Sequence, residues 1–413
     1  IDQNDSNIIY IATGDDDARD TYSVGVLKSI DGGLNWNKTG LDFSQNNAVS
    51  SEIYIHPDDS NTIWVASNQG FYKSTDGGVS WKRNLVNNIL DIKLKPDDPD
   101  VIYAVSKSKF YRSTDGGSTF FLASEGLPES SGKFAVDVSP DDPEVVYVLS
   151  AKTDNSFQGV YKSIDAGLNF NKTNVTKDLF GGSTQAWYDM ALTVNPKDAD
   201  MVFVGVLDIW RSTDGGDSFV QKNRWWDPSD PAYTHADIHF LRYFNDKLYA
   251  GTDGGIYESS DNADSFTDLT EGLNISQYYR ISTARGNASQ IVGGLQDNGG
   301  FGYSENRWHQ YHAGDGMDCI VDPNDSNIYY GFNQYGGSLN VSYDGGQTEG
   351  GSLASAPAEE TDGANDSGGK WITPLVADSL GQLFACYSRV YKLTNKRWEA
   401  VSEDLFGVDI DLM

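Results

Sequence analysis

The sequence has little cysteine and little positive charge, and it lacks long apolar runs. The two cysteines among 413 residues, Cys319 and Cys386, lie in apolar strand-like segments, so we expect buried small side chains and no required disulfide. No run approaches the roughly 18 apolar residues of a membrane-spanning helix, which argues against membrane insertion. The chain has 30 basic and 60 acidic residues, and the resulting net charge of −30 repels nucleic acid.

The residues that are abundant favour short strands and tight turns. Glycine occurs 43 times and tyrosine 23 times, and apolar residues make up 38% of the chain, which is enough for a buried core. The chain begins at Ile1 without a methionine or a signal peptide, so we expect that a leader has been removed. We predict an extracellular or cell-surface protein with a glycan or a surface protein as its partner.

A ten-residue motif recurs at intervals of about 40 to 50 residues, the sign of a repeat architecture. The clear copies are "LKSIDGGLNW" (27–36), "YKSTDGGVSW" (72–81), "YRSTDGGSTF" (111–120), "YKSIDAGLNF" (161–170) and "WRSTDGGDSF" (210–219). Weaker copies lie at 257–266, 302–311, 340–349 and 391–400, which gives nine units. Upstream of most copies a strand, a Pro-Asp turn and a second strand recur, as in "EIYIHPDDSNTIWVAS" (52–67).

Four antiparallel strands per repeat predict an all-β fold, a single β-propeller of about nine four-stranded blades, with eight or ten as alternatives. The C-terminal "GVDIDLM" resembles the missing innermost strand of the first blade, so we expect the terminal strands to pair and close the ring. One domain over residues 1–413 is predicted, with a flexible Gly/Ser/Ala-rich acidic loop at about 347–370.

Every residue of the ten-residue motif can be explained by turn chemistry. The serine hydroxyl and the aspartate accept hydrogen bonds from the N–H groups of their own turn, and glycine supplies a left-handed backbone. The predicted structural aspartates are Asp31, Asp76, Asp115, Asp165 and Asp214. A repeated calcium or sugar site is the weaker alternative, because the turn consumes its own carboxylate.

Strand direction places the non-repeated loops at one edge of the blades. With strands A to D in chain order, the A–B and C–D turns share one edge, and the B–C and D–A loops share the other. Loops of the second kind are 13–25, 181–189, 224–239, 251–255, 294–300 and 312–318. Irregular loops on a rigid scaffold commonly carry function, so we expect the site at this loop-rich edge.

Two of these loops offer groups that could bind a metal ion. "HADIH" places His235, Asp237 and His239 at period two, on one side of an extended segment. These side chains could bind a metal ion, form another kind of site or belong to a structural polar network. "GDDDARD" offers four carboxylates to calcium, the one cofactor for which the sequence suggests ligands: Asp15, Asp16, Asp17 and Asp20. A solvated acidic loop is favoured there, because the spacing does not match the EF-hand.

Aromatic and amide side chains in the same loops are candidates for ligand binding. Trp225 and Trp226 precede a Pro-rich stretch, and Trp187 lies in the loop before the fifth repeat. An exposed tryptophan offers a flat apolar platform on which a sugar ring can stack, although loop tryptophans also pack inward. The predicted ligand-binding residues are Trp187, Trp225, Trp226, His235, His239, Gln296 and Asn298.

The ten-residue motif resembles the Asp-box, or BNR, repeat of sialidases, sortilin and two-propeller xyloglucanases, with Ala166 replacing one glycine. The resemblance implies a β-propeller in which the boxes are structural. The stretch 235–323, which combines "HADIH", "GLQDNGG" and "HAGDGMD", resembles a sortilin-like, glycosyl-hydrolase-labelled group of secreted proteins frequent in Bacteroidetes. That resemblance implies export to the cell surface.

Three functions are therefore considered. The first is a binding module for glycan or protein that uses the loop-rich edge. The second is a glycoside hydrolase, which needs two carboxyls about 5 Å or 6.5–9.5 Å apart; the candidates are Asp237, Asp297, Asp315 and Asp318. The third is a structural component of a surface assembly, for which the sequence offers no positive mark.

Overall fold

Antiparallel sheets make up almost all of the regular structure. The computed structural model describes residues 1–15, 21–44, 47–361 and 368–404. The described residues form nine sheets, one of three strands and eight of four, and each sheet follows chain order. The predicted all-β class and the nine units are confirmed. No helix in these described ranges has the length and apolarity to cross a membrane.

The chain divides into two compact units, Ile1–Glu271 (unit 1) and Gly272–Met413 (unit 2). Unit 1 contains six sheets, whose strands are β1 (Ile9–Ala12), β2 (Val26–Ser29), β3 (Asn37–Lys38); β4 (Ser50–His56), β5 (Asp59–Ser67), β6 (Gly70–Ser74), β7 (Lys82–Leu85); β8 (Asp91–Lys95), β9 (Asp98–Val105), β10 (Phe110–Ser113), β11 (Phe121–Leu122); β12 (Lys133–Val138), β13 (Val146–Ala151), β14 (Phe157–Ser163), β15 (Asn171–Lys172); β16 (Ala191–Asn195), β17 (Asp198–Gly205), β18 (Ile209–Ser212), β19 (Val220–Gln221); and β20 (Ile238–Phe244), β21 (Lys247–Thr252), β22 (Gly255–Ser259), β23 (Thr267–Asp268).

Unit 2 contains the remaining three sheets. Their strands are β24 (Tyr278–Ala284), β25 (Asn287–Leu295), β26 (Gly299–Ser304), β27 (Arg307–His312); β28 (Cys319–Val321), β29 (Tyr329–Phe332), β30 (Ser338–Ser342), β31 (Ser352–Ser355); and β32 (Leu375–Ala377), β33 (Leu383–Cys386), β34 (Val390–Thr394), β35 (Arg397–Ala400), with a short 3-10 turn at Gln334–Gly336. That one domain spans both units stays a prediction. The strand expected to complete the first sheet, within 405–413, lies outside the described residues.

Apolar side chains fill the spaces between neighbouring sheets in each unit. In unit 1, Tyr147, Val160, Val202 and Trp210 belong to one buried cluster that joins the sheets starting at β12 and β16. In unit 2, a cluster that includes Phe332, Leu339, Tyr387 and Tyr391 joins the sheets starting at β28 and β32. Cys319 and Cys386 are both free and buried, as expected from their apolar surroundings.

The ten-residue motifs form self-contained turns between the last two strands of their sheets. In one of them the Ser212 hydroxyl donates to Asp214 Oδ1 (2.7 Å) and accepts from the Gly216 N–H (2.9 Å). The same carboxylate accepts from the Ser218 N–H (2.9 Å). Equivalent bonds occur at the other four predicted aspartates, Asp31, Asp76, Asp115 and Asp165. The carboxylates are thus used within their own turns.

Two of the weaker copies build the same turn. Asp261 accepts from Ser259 and Ser265, and Asp344 accepts from Ser342 and Thr348. In the first copy Ala263 takes the left-handed backbone that glycine adopts elsewhere (φ 68°). The loss of glycine there did not prevent the turn, because the serine and the aspartate supply its hydrogen bonds.

The segment predicted as a loop at 347–370 is partly regular. Ser352–Ser355 forms β31, the fourth strand of its sheet. Glu360 accepts hydrogen bonds from the hydroxyls of Ser388 and Tyr391, both at 2.6 Å. Residues 362–367 lie outside the described part of the chain.

Candidate functional site

A cavity of about 350 Å³ opens in unit 1 between the first halves of five first strands, β4, β8, β12, β16 and β20. These strands begin where the D–A loops end, so the cavity lies at the loop-rich edge that the strand directions predict. Its lining also includes Gly14 and Asp15 from the first B–C loop. The volume is at the lower end of the range for small-molecule pockets.

Charged side chains of alternating sign line this cavity. Arg242 donates to Glu52 (3.0 Å) and to the Tyr54 hydroxyl (3.3 Å). Lys93 forms ion pairs with Asp91 and with Glu52, the latter at 3.7 Å. Burial raises the pKa of Tyr54 to about 12, so its hydroxyl keeps its proton. The wall therefore offers fixed donors and acceptors whose charges are paired.

Two carboxylates, Asp91 and Asp137, connect the first strands of neighbouring sheets. Asp91 Oδ2 accepts from the Val136 N–H (3.1 Å) of the next sheet. Asp137 Oδ2 accepts from the Val194 N–H (2.9 Å) and from the Thr193 hydroxyl (3.0 Å) of the sheet after that. Sequence reasoning missed all of these charged groups, although a charged residue at alternate positions of an otherwise apolar first strand is a visible signal.

His239 lines the cavity and is fixed by groups from two other loops. Its Nε2 lies 2.7 Å from Asp253 Oδ1, and the Tyr188 hydroxyl donates to Asp253 Oδ2 (2.8 Å). The Tyr188 and His239 rings meet edge to face at 4.5 Å. The Trp187 ring lies against Tyr188 at 5.5 Å and is 55% exposed. A continuous series of rings thus leads from the cavity wall to the surface.

A buried carboxyl pair lies beside this series. The Gln185 side-chain amide donates to Asp189 Oδ2 (3.1 Å) and to Asp237 Oδ1, so one amide nitrogen bridges the two carboxyls. Burial, reinforced by the charge of Asp237, raises the pKa of Asp189 to about 8. Burial also raises the pKa of Asp237. Asp189 therefore keeps its proton at neutral pH.

The expectation that His235, Asp237 and His239 share one side of an extended segment is wrong. Asp237 has a left-handed backbone (φ 60°), and the register shifts between Ile238 and Phe240. The period of two is therefore broken, and the three side chains reach different partners. The His235 ring packs against Gly254, where an added Cβ would lie 2.3 Å from the ring.

No group of three or more His, Cys, Asp or Glu side chains among the described residues is arranged to hold a metal ion. Of the calcium candidates, Asp15 lines the cavity. Asp16, Asp17 and Asp20 lie outside the described residues.

The two neighbouring tryptophans of unit 1 are also at the surface. Trp225 is 44% and Trp226 61% exposed. The Trp225 N–H donates to Asp208 Oδ1 (3.1 Å), and the Arg224 guanidinium lies 5.8 Å from the centre of the Trp226 ring. Both rings are available for stacking.

In unit 2 the predicted carboxylates hold loops together. Asp315 Oδ1 accepts from the Asp297 N–H (2.7 Å), and Asp315 Oδ2 accepts from the Gln334 side chain (2.5 Å). Asp318 accepts from the N–H groups of Cys319 (2.9 Å) and Leu375 (3.0 Å), and its burial raises its pKa.

The two predicted amides of unit 2 lie in the same B–C loop as Asp297. The side chain of Asn298 folds back onto the Gln296 carbonyl (3.2 Å). The Gln296 N–H bonds the Gln277 carbonyl (3.0 Å), which ties this loop to the segment before β24.

Comparison with known proteins identifies the fold. No family model and no curated protein matches the chain. Among solved structures, an ancestral GH74 enzyme is similar over 95% of this chain and 66% of that one, at 16% identity and a TM-score of 0.52. A GH74 enzyme of Niastella koreensis is similar over 97% of this chain and 77% of that one, at 16% identity and a TM-score of 0.49.

A third similar structure is PorZ, a bacterial surface component of the type-IX secretion system of Porphyromonas gingivalis. The similarity extends over 93% of this chain and 51% of the PorZ chain, at 14% identity and a TM-score of 0.49. At such identities a likeness shows the fold alone. That fold is the β-propeller, as the repeat predicts.

Proposed function

We propose that the loop-rich edge of unit 1 binds a neutral glycan, in a protein that works at the cell surface or outside the cell. One observation carries the proposal: the exposed Trp187 is connected through Tyr188 to His239, which lines a polar cavity. A flat aromatic face beside fixed hydrogen-bonding groups suits a sugar, because the apolar C–H face of the ring stacks while its hydroxyls bond to the polar wall.

The electrostatics favour a neutral ligand over an acidic one. The basic side chains Arg242 and Lys93 in the cavity are already paired with Glu52 and Asp91. The net charge of −30 repels an anionic glycan as it approaches. Neutral hydroxyls can bond to both members of such ion pairs without removing either charge from its partner.

Binding fits the carboxyl geometry of unit 1 better than hydrolysis does. One side-chain nitrogen of Gln185 donates to both Asp189 and Asp237, which holds the two carboxyls close together with an amide between them. Hydrolysis needs two carboxyls about 5 Å or more apart with the glycosidic bond between them. Asp189 is also fully buried. The chain shares its fold with a GH74 enzyme, and this likeness of fold is the support that the comparisons give to a carbohydrate-related role.

Isothermal titration of the purified chain with xyloglucan, cellohexaose and laminarihexaose tests the proposal. We expect Trp187→Ala to weaken the binding of the preferred probe about ten-fold, which is about 1.4 kcal/mol, because the stacking face is lost. Phe121→Ala is the matched control, since Phe121 is 44% exposed on the outer strand β11. Equal affinity of both variants, or no binding of any probe by the native chain, rejects the proposal.

The same probes separate binding from hydrolysis. Incubation followed by a reducing-sugar assay should show no release above the protein-free rate. Release that is lost in Asp237→Ala would make unit 1 a glycoside hydrolase.

A further inference from the structure

Three aromatic side chains from three different segments meet at the loop-rich edge of unit 2. Tyr279 lies at the start of β24, Tyr335 in the B–C loop after β29, and Trp371 in the D–A loop before β32. The Trp371 ring lies 5.1 Å from Tyr335 and 6.3 Å from Tyr279, nearly perpendicular to both. Trp371 is 40% exposed, so part of its surface remains open to solvent.

The backbone holds this arrangement at the cost of strain. Tyr335 has a left-handed backbone (φ 57°), which is rare for a bulky residue. It persists because the Tyr335 N–H bonds the Trp371 carbonyl (3.2 Å) and the Gly369 N–H bonds the Tyr335 carbonyl (2.9 Å). The Tyr387 hydroxyl also donates to the carbonyl of the next residue, Gly336 (2.7 Å). Strained residues held in this way concentrate at binding and catalytic sites.

Polar groups adjoin the aromatic cluster. Tyr279 lies within electrostatic range of Asp315 and Asp297. Gln334, which precedes Tyr335 in sequence, donates to Asp315 (2.5 Å), and Asp297 has its own left-handed backbone (φ 60°). Carboxylates therefore lie near Tyr279, and an amide lies next to Tyr335 in sequence.

We propose that this cluster is a second glycan-binding site, in which one neutral sugar ring stacks on Trp371 and its hydroxyls bond to Asp297, Asp315 and Gln334. The ligand class of this second site rests on the proposed function. Its location rests on a separate set of residues. An apolar peptide fits less well, because the carboxylates near Tyr279 would lose water without gaining a partner. Two glycan sites on one chain would increase avidity for a polysaccharide.

Titration of single and double variants tests the second site separately from the first. With the preferred oligosaccharide we expect two ligands of native affinity per native chain, one per Trp187→Ala chain, one per Trp371→Ala chain and none for the double variant, because each substitution weakens its own site about ten-fold. Trp371→Phe should keep two, because it retains a flat ring. Tyr343→Ala is the matched control, since Tyr343 is 57% exposed in the ten-residue motif of unit 2, at the other edge of its sheet.

The outcomes distinguish the two proposals. An unchanged stoichiometry in Trp371→Ala, or a complete loss of binding in Trp187→Ala, overturns the second site while the first stands. Complete loss in Trp371→Ala with no change in Trp187→Ala overturns the first site and supports the second. Melting temperatures within error of the native value show that a loss of binding is not a loss of folding.

Discussion

The buried carboxyl pair of unit 1 makes the stability of that unit depend on pH in a way that one substitution should remove. In the folded chain Asp189 keeps its proton up to a pKa of about 8, against an ordinary value of 3.8. Between these values the folded state binds more protons than the unfolded state, so the contribution of Asp189 to stability is fully present at low pH and is lost as the pH rises toward 8. Each pH unit costs about 1.4 kcal/mol.

Asp189→Asn replaces the protonated carboxyl by a neutral amide of the same shape. We expect little change in the free energy of unfolding at pH 5. At pH 8 we expect the variant to be more stable than the native chain by at most about 4 kcal/mol, because the native pair must either hold a proton or bury two charges. Local opening of the loops would reduce the gain.

Urea unfolding of the chain at pH 5, 6, 7 and 8 measures this difference, with hydrogen exchange of peptides from 185–195 as the readout for unit 1. Asp227→Asn is the control: Asp227 lies in an exposed loop of the same unit, and hydrogen bonds from Ser229 lower the pKa of its carboxyl. It should follow the native profile. Native and Asp189→Asn profiles that run parallel from pH 5 to pH 8 would refute the raised pKa of Asp189.

Two further predictions concern the repeated turns. Ser212→Ala removes a buried hydroxyl that serves two partners of its turn, and it should lower the free energy of unfolding by about 1–3 kcal/mol; Ser218→Ala in the same turn, at an exposed site, should cost less. Gly117→Ala would place a Cβ 2.7 Å from the Phe71 ring at a positive φ of 75°. It should lower the melting temperature clearly more than Gly182→Ala, because φ at Gly182 is also positive (86°) but no atom lies within 4 Å of the added Cβ. Equal effects within either pair would contradict the assigned contacts.

The repeat could be predicted from the sequence because its interactions are local. Each turn is closed by a serine and an aspartate two residues apart, with the closing N–H groups within four residues. Such a unit shows itself in a single stretch of sequence. The copy at Asp261 is weaker in sequence because it lacks glycine, yet Ala263 takes the left-handed backbone and the same turn forms.

The candidate site could be located by strand direction, but its chemistry could not be read in advance. The sequence pattern predicts Asp237 on the same side of the segment as the two histidines of "HADIH". Its left-handed backbone instead directs its carboxyl to Gln185 and Asp189. Asp189 carries no signal of its own in the sequence, because its raised pKa comes from burial and from the charge of Asp237, which lies 48 residues away in sequence. Contacts between blades decide these features, and a pattern along one strand does not contain them.

Hydrogen exchange in the presence of the preferred oligosaccharide tests the central claim most directly, because it reports both edges of the sheets at once. The account predicts slower exchange at 185–192 and 235–242 and unchanged exchange in the turns at 74–81, 113–120 and 212–219. Slower exchange in those repeated turns, with none at the loops, would contradict it.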